Sequence, residues 1–420
     1  MQGLQAGFGK VKITPPMGTL VCGYYYDRAA DAVHDDLYAK ALVLDDGTRR
    51  WALVSCDLAL FPTEVAEAAR ALIEKESGLA PEAVMVHATH THTGPVVDGD
   101  YARKLPEWIA ESVRIALEGM RDVRIGVGYS EEHGLSFNRR FFMKDGGVQT
   151  NPGKLNPDIV EAEGPIDPEV AVVSVEEPDG TPVALIVRFG MHLDTISGNA
   201  ISGDYPFFLE EALSEKHGKD LPFLFLKGCS GNVNHFDVKS ADPQRSFGEA
   251  KRIALTLLPR VLEAMDDLIY LSAVDLGYAR KPVRLPCRVS TEEEVTWARE
   301  IVAQPADATK DFTMDRVEAI RIIQVSKMAH NYIPAEVQIL RVGEIAIAGF
   351  PTEMFVEWAM QLRKDSPFRY TFPIDLANGS VGYIPTRSAF KNGGYEPVSS
   401  VFTPDVGNVL VDASLELLNQ

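Results

Sequence analysis

Apolar residues along this 420-residue chain recur in two rhythms. In the first, short β-branched runs are cut by glycine-containing turns. Leu42-Val-Leu-Asp-Asp-Gly47 leads to Trp51-Ala-Leu-Val-Ser-Cys-Asp57, and Val170-Ala-Val-Val-Ser-Val175 leads through Pro178-Asp-Gly180 to Ala184-Leu-Ile-Val-Arg-Phe-Gly-Met-His192. Val337-Gln-Ile-Leu-Arg-Val-Gly343 leads to Ile345-Ala-Ile-Ala-Gly-Phe-Pro-Thr-Glu353. Each reads as a hairpin whose second strand ends in an ionisable side chain. Together they predict a shared sheet system that carries Asp57, His192 and Glu353 toward one edge.

The second rhythm is helical. Apolar residues three and four apart predict helices over Pro62 to Glu76, Lys104 to Gly119 and Phe208 to Lys216. A charged helical stretch from Glu292 to His330 reads as an insertion or cap, at about 290–332. Strands alternating with helices predict an α/β (mixed α+β) fold, a mixed β-sheet core flanked by helices. No long Gly-, Ser- or Pro-rich linker breaks the chain and no repeat has a solenoid period, so one large domain over 1–420 is expected.

A further apolar run, Ala83-Val-Met-Val86, reads as a buried strand that ends in His87-Ala-Thr-His90-Thr-His92-Thr-Gly-Pro95. Strand alternation puts His90 and His92 on one side and His87 on the other. Two imidazoles at that spacing can hold a divalent ion, or one can bind it while the other works on a substrate. The pattern does not say which of His90 and His92 is the ligand.

Composition narrows the partners. The net charge of −19, with acidic residues dispersed along the chain, argues against nucleic acid, which needs a basic footprint. No run approaches the roughly eighteen apolar residues of a membrane span. The N-terminus lacks the basic start and apolar core of a signal peptide, so the chain as written is expected to be cytoplasmic. Four scattered cysteines, Cys22, Cys56, Cys229 and Cys287, form no C-x-x-C pair and are expected to be reduced.

Familiar signatures fail. There is no H-E-x-x-H and no phosphate-binding loop, and Gly7-Phe-Gly9 does not continue as a dinucleotide fingerprint. Gly228-Cys-Ser230-Gly-Asn232 lacks the second glycine of a serine nucleophile elbow.

The segments that remain resemble, in order, the catalytic domain of the neutral (alkaline, non-lysosomal) ceramidases: Gly9-Lys-Val-Lys-Ile-Thr-Pro15, Val54-Ser-Cys-Asp57, Ala88 to Pro95, Asn138-Arg139 with Asn151-Pro152, Phe189-Gly-Met-His192, Gly228 to Asn232, Phe350-Pro-Thr-Glu353, and Gly382-Tyr-Ile-Pro-Thr386 with Gly394-Tyr-Glu396. The resemblance implies one Zn2+ per chain held by His90, His192, Glu353 and Tyr383, with His92 beside it to handle protons or hold substrate. It places Arg139 and Tyr395 against the substrate or its developing oxyanion, and Ser230 at a serine lining the pocket. The implied reaction is hydrolysis of an amide (N-acyl) or related acyl bond in a small-molecule or lipid-like substrate. Alternatives are a small polar ester, lactone or amide, or a non-catalytic metal-containing binding protein.

Departures are also visible. Arg140-Phe-Phe-Met follows Asn138-Arg139 where ceramidases have Ser-Pro-x-x-Tyr, and Ser230-Gly-Asn stands for Ser-Pro-Asn. No C-terminal immunoglobulin-like domain is expected. Tyr24, Tyr25, Tyr26, Phe141 and Phe142 are expected near the mouth of the site, where they suit an acyl chain or a sugar ring.

Overall fold

The computed structural model describes residues 3–218, 221–304 and 313–420. Positions 305–312 of the expected helical stretch lie outside them. Each of the three hairpins forms, but each belongs to its own sheet. Tyr38–Asp45 pairs with Arg50–Cys56, Glu169–Glu176 with Pro182–Phe189, and Tyr332–Val342 with Ile345–Gly349, all antiparallel.

Each hairpin is then followed by a helix and by a strand that returns parallel to the hairpin's second strand. Thr63–Ser77 leads to Val84–Ala88 beside Arg50–Cys56. Tyr205–His217 leads to Phe223–Lys227 beside Pro182–Phe189. Val356–Asp365 leads to Tyr370–Ile374 beside Ile345–Gly349. Parallel strands need such a crossover, and strands covered on both faces read as continuous apolar runs. Val84–Ala88, Phe223–Lys227 and Tyr370–Ile374 are accordingly buried throughout.

Gln5–Lys12 and Arg121–Asp122 complete the first sheet, Arg124–Glu131 and Ile269–Tyr270 the second, and Leu276–Pro286 the third. The long helix Gly99–Glu118 lies on the first sheet so closely that a Cβ at Gly7 would sit 1.9 Å from the Ala116 carbonyl oxygen, and one at Gly9 2.0 Å from that of Ser112. Only glycine permits that approach. Phe247–Asp266, with a helical apolar stripe of Ile253, Ala254, Leu257 and Val261, covers the second sheet, and Val406–Leu418 covers the third. The main core runs between the sheets, joining Leu53, Val54 and Val86 of the first to Leu224 and Leu226 of the second and Ile347 and Phe372 of the third.

The charged stretch holds two helices, Glu292–Ala303 and Met314–Ser326, packed together around Ala298, Ala319 and Ile322. The second of them also packs against the short helix Tyr395–Ser399. The four cysteines are free thiols, and among the described residues no helix is long and apolar enough to cross a membrane.

Candidate metal centre

The repeated unit sets the position of the site. The chain leaves the C-terminal ends of the inner strands into short loops, and in open sheets with parallel strands this is where binding groups collect. Two loops come from hairpin second strands: His192 follows Pro182–Phe189, and Glu353 follows Ile345–Gly349. Three come from the returning strands: His90 and His92 after Val84–Ala88, Ser230 after Phe223–Lys227, and Asp375 after Tyr370–Ile374.

The expected convergence of Asp57 fails. Asp57 accepts from the Tyr38 amide at 3.0 Å and lies 3.8 Å from the Lys40 ammonium, lining a different cavity with Lys40 and Glu210. The first unit contributes its histidines from the returning strand instead. The next residues of that hairpin still matter: the Leu58 carbonyl accepts the His90 amide at 2.7 Å, and the Ala59 carbonyl meets His90 Nδ1 at 2.8 Å.

Nor does strand alternation bring His90 and His92 together. The strand ends at Ala88, and His90 adopts φ 77°, in the left-handed region. The turn swings the two rings edge to face, with Nε2 to Nε2 at 3.3 Å. A strained non-glycine backbone of this kind persists only where its surroundings enforce it. His87, still within the strand, points elsewhere: its Nε2 accepts from the Lys227 amide at 3.2 Å, and burial pushes its pKa down to about 3.

His192 enters from the second unit. Its Nδ1 lies 2.9 Å from the Ser230 carbonyl and 3.1 Å from that of Val233. Since carbonyls only accept, Nδ1 of His90 and of His192 carries a proton, and in the neutral ring each Nε2 then offers a lone pair. These lone pairs face Glu353 Oε2 at 3.2 Å and 3.3 Å. That oxygen is buried and has no hydrogen-bond donor. With both rings neutral, two imidazole lone pairs and a carboxylate oxygen in contact repel one another, and a cation between them would relieve that repulsion. His90, His92 and His192 offer ligand atoms all within 4.8 Å of one another, so this buried cluster can hold a metal ion.

Tyr383 is brought alongside by the parallel bridge Glu353–Met354 to Tyr383–Ile384, in which Glu353 is the direct partner of Tyr383. The Arg139 guanidinium lies 5.5 Å from the Tyr383 ring centre, and the Tyr395 ring 5.7 Å from it. Arg139 is buried, with Nη1 3.4 Å from His192 Nε2, Nε donating to Glu396 at 2.7 Å and Nη2 to the Gly231 carbonyl at 2.7 Å. Tyr395 shares a 3.1 Å hydrogen bond with Tyr25. Seven of the eight residues singled out in the sequence thus turn their side chains to one place. Ser230 reaches it by its carbonyl, while its buried hydroxyl has no partner among the described residues.

Above the cluster opens a cavity of about 460 Å³, walled by Tyr24, Tyr25, Phe236, Arg139, Tyr383 and Tyr395 with His92 at its floor. Phe141 does not join it but packs with Met143 and Val238 in a small separate core, and Phe142 and Tyr26 are also absent from its wall. Gly23 takes φ 105° beside the His92 ring, where a Cβ would lie 2.5 Å from Nδ1.

Asp194 was not singled out in the sequence, although it stands only two residues after His192. It accepts from the Tyr24 hydroxyl at 2.5 Å, pairs with Arg245, and lies 3.9 Å from His92 Nδ1. Glu396, which anchors both Arg139 and Arg140, was visible only as the last residue of Gly394-Tyr-Glu.

No protein-family model matches the chain. The neutral ceramidase of Pseudomonas aeruginosa is 23% identical over an alignment covering 95% of this chain and 69% of that protein. The crystal structure of the Pseudomonas aeruginosa enzyme superposes with a TM-score of 0.77 at 19% identity, over 100% of this chain and 75% of that one. A ceramidase complexed with C2 gives 0.78, also at 19% identity, over 99% and 75%. This chain is therefore a homologue of neutral ceramidase and shares its fold.

Proposed function

We propose that the protein is a zinc-dependent hydrolase that cleaves an amide or related acyl bond. The observation that carries this reading is the facing of His90 Nε2, His192 Nε2 and Glu353 Oε2 while both histidine Nδ1 atoms are turned to carbonyl oxygens. His90, His192, Glu353 and Tyr383 would hold the ion, a mixed nitrogen and oxygen set of the kind that leaves room for a water or a substrate oxygen. Zinc held there would supply an activated water and polarise the scissile carbonyl.

The remaining groups do the work of protein residues in such a reaction. Arg139 cannot lose its proton, and Glu396 fixes its fork toward His192, so it offers a preorganised positive charge to the oxyanion. Burial keeps the Tyr395 phenol protonated well above its ordinary pKa, so it can donate to the oxyanion or to the leaving group. His92, which burial pushes down to about 3, enters the reaction neutral and can accept or relay a proton. Water adds across the acyl bond: its hydroxyl goes to the acyl carbon and its proton to the departing amine or alcohol. In this reading the chain works as one hydrolase domain, and the helix Met314–Ser326 braces the Tyr395 segment.

The test is elemental analysis coupled to hydrolysis assays on N-acyl sphingosines, short N-acyl amines, esters and lactones, with and without chelator. About one zinc per chain, chelator-sensitive turnover and loss of both in His192→Ala and Glu353→Ala are expected. Full metal occupancy and rate in either variant would overturn the ligand assignment.

A further inference from the structure

The cavity above the histidines differs in charge from the chain that encloses it. The protein carries −19 overall, yet Arg139, Lys154 and Arg245 line the cavity against one lining carboxylate, Asp194. Two of these cations are matched: Arg139 by Glu396 and Arg245 by Asp194. Lys154 is not. Its ammonium donates to the carbonyl oxygens of Ala241 and Asp242, and no carboxylate among the described residues forms an ion pair with it. Carbonyls leave the net charge in place, so the lip of the cavity keeps a full positive charge.

The loop that presents this lysine is built to do so. Asn151, Gly153 and Leu155 all take positive φ, of 49°, 90° and 52°. Two of these are non-glycine residues, a cost that persists only when neighbours enforce it. The neighbours are identifiable. The Asn151 amide donates to the Arg139 carbonyl at 2.7 Å, its side chain accepts from Asn234 at 2.9 Å, and the Leu155 amide donates to the Val238 carbonyl at 2.7 Å. Lys154 is thereby tied to the residue that flanks His192. The wall beside it carries the rings of Tyr24, Tyr25 and Phe236, suited to the apolar part of the same ligand.

We propose that the acyl compound cleaved here is anionic, with a carboxylate or phosphate that pairs with Lys154 at the lip while its acyl bond lies at the histidines. This deepens the hydrolase reading and rests on it. A cleft of one sign in a chain of the other concentrates field lines, raising local substrate concentration and the on-rate for the oppositely charged ligand.

The experiment compares matched pairs on the metal-loaded protein: N-acylglycine against N-acylglycinamide, and an N-acylethanolamine phosphate against the N-acylethanolamine, with one acyl chain throughout. Preference for the charged member of either pair is expected on the order of tenfold in kcat/KM, expressed in KM and eroded by salt. The pair that shows it tells carboxylate from phosphate. Lys154→Gln should shrink the ratio and Lys154→Glu should abolish it. Equal or faster cleavage of both neutral members, or an unchanged ratio in Lys154→Glu, would overturn the inference and leave the hydrolase reading standing. If no compound is cleaved, that reading fails by itself, and calorimetry on the same protein decides the rest. Binding of N-acylglycine or the phosphate without their neutral partners would sustain anion recognition, and binding of neither would end it.

Discussion

Lys227 and Asp375, 148 residues apart in sequence, form an ion pair of 2.9 Å with no exposure of either side chain. The pair supports the loops around the histidine cluster. Asp375 also accepts the backbone amides of Ser230 at 3.2 Å and Met354 at 2.9 Å. Ser230 supplies the carbonyl that orients His192, and Met354 directly follows Glu353. One carboxylate therefore ties the Ser230 loop, whose carbonyl orients His192, to the loop that carries Glu353.

Asp375→Asn should cost both stability and the ion. Leaving Lys227 charged and buried without its partner is expected to cost about 3–5 kcal/mol. The folded fraction should also bind zinc more weakly by about ten- to a hundredfold, the range for lost supporting contacts around metal ligands. Denaturant unfolding and zinc titration against a competing chelator measure the two effects separately. Weakened stability with unchanged zinc affinity would show the pair to be structural only.

His87→Leu separates this histidine from its neighbours. The Lys227 amide would lose its acceptor at a buried position, for about 1–3 kcal/mol of destabilisation, while zinc content of the folded protein stays near one per chain. Loss of the ion in this variant would bring His87 back into the site.

Arg139→Lys tests the oxyanion role. An ammonium cannot reproduce the guanidinium fork held by Glu396 and the Gly231 carbonyl, so kcat should fall by about 10²–10³ while KM and zinc content change little. A fall in zinc content instead would assign Arg139 to holding His192.

Asp204 gives the fold a pH signature away from the metal. Burial raises its carboxyl to about 7 despite hydrogen bonds from Thr195 and from the Tyr205 amide. Its unfolded value is about 3.9. A raised carboxyl favours the protonated fold, so its stabilising contribution is complete below about pH 4 and is lost as pH rises through 7. Denaturant midpoints from pH 4 to pH 8 should show this decline, and Asp204→Asn should flatten it.

The hairpins were legible because turn glycines and β-branched runs are local signals. Their distribution over three sheets was not, since that depends on the returning strands Phe223–Lys227 and Tyr370–Ile374, whose continuous apolar runs carry no pairing information. Of the site, His192 and Glu353 could be read as polar ends of buried strands. The juxtaposition of His90 and His92 followed from a left-handed turn at His90 that alternation misstates. Asp57 was misread because a polar strand end looks the same whether it faces a metal cluster or a lysine. Lys227 and Asp375 were invisible, and Glu396 was legible only as part of a motif and not as the anchor of Arg139, for a different reason: their partners lie more than a hundred residues away.

The thrice-repeated hairpin, helix and returning strand has a consequence for the life of the chain. Every unit furnishes something the ion needs: the first His90 and His92, the second His192, the third Glu353. No one of them can retain it by itself. An ion held there would be a keystone, set only when all three arches stand. In the hydrolase reading proposed above, metal content would then report completed assembly, and a molecule nicked or misassembled in any one unit would lack both the ion and the activity.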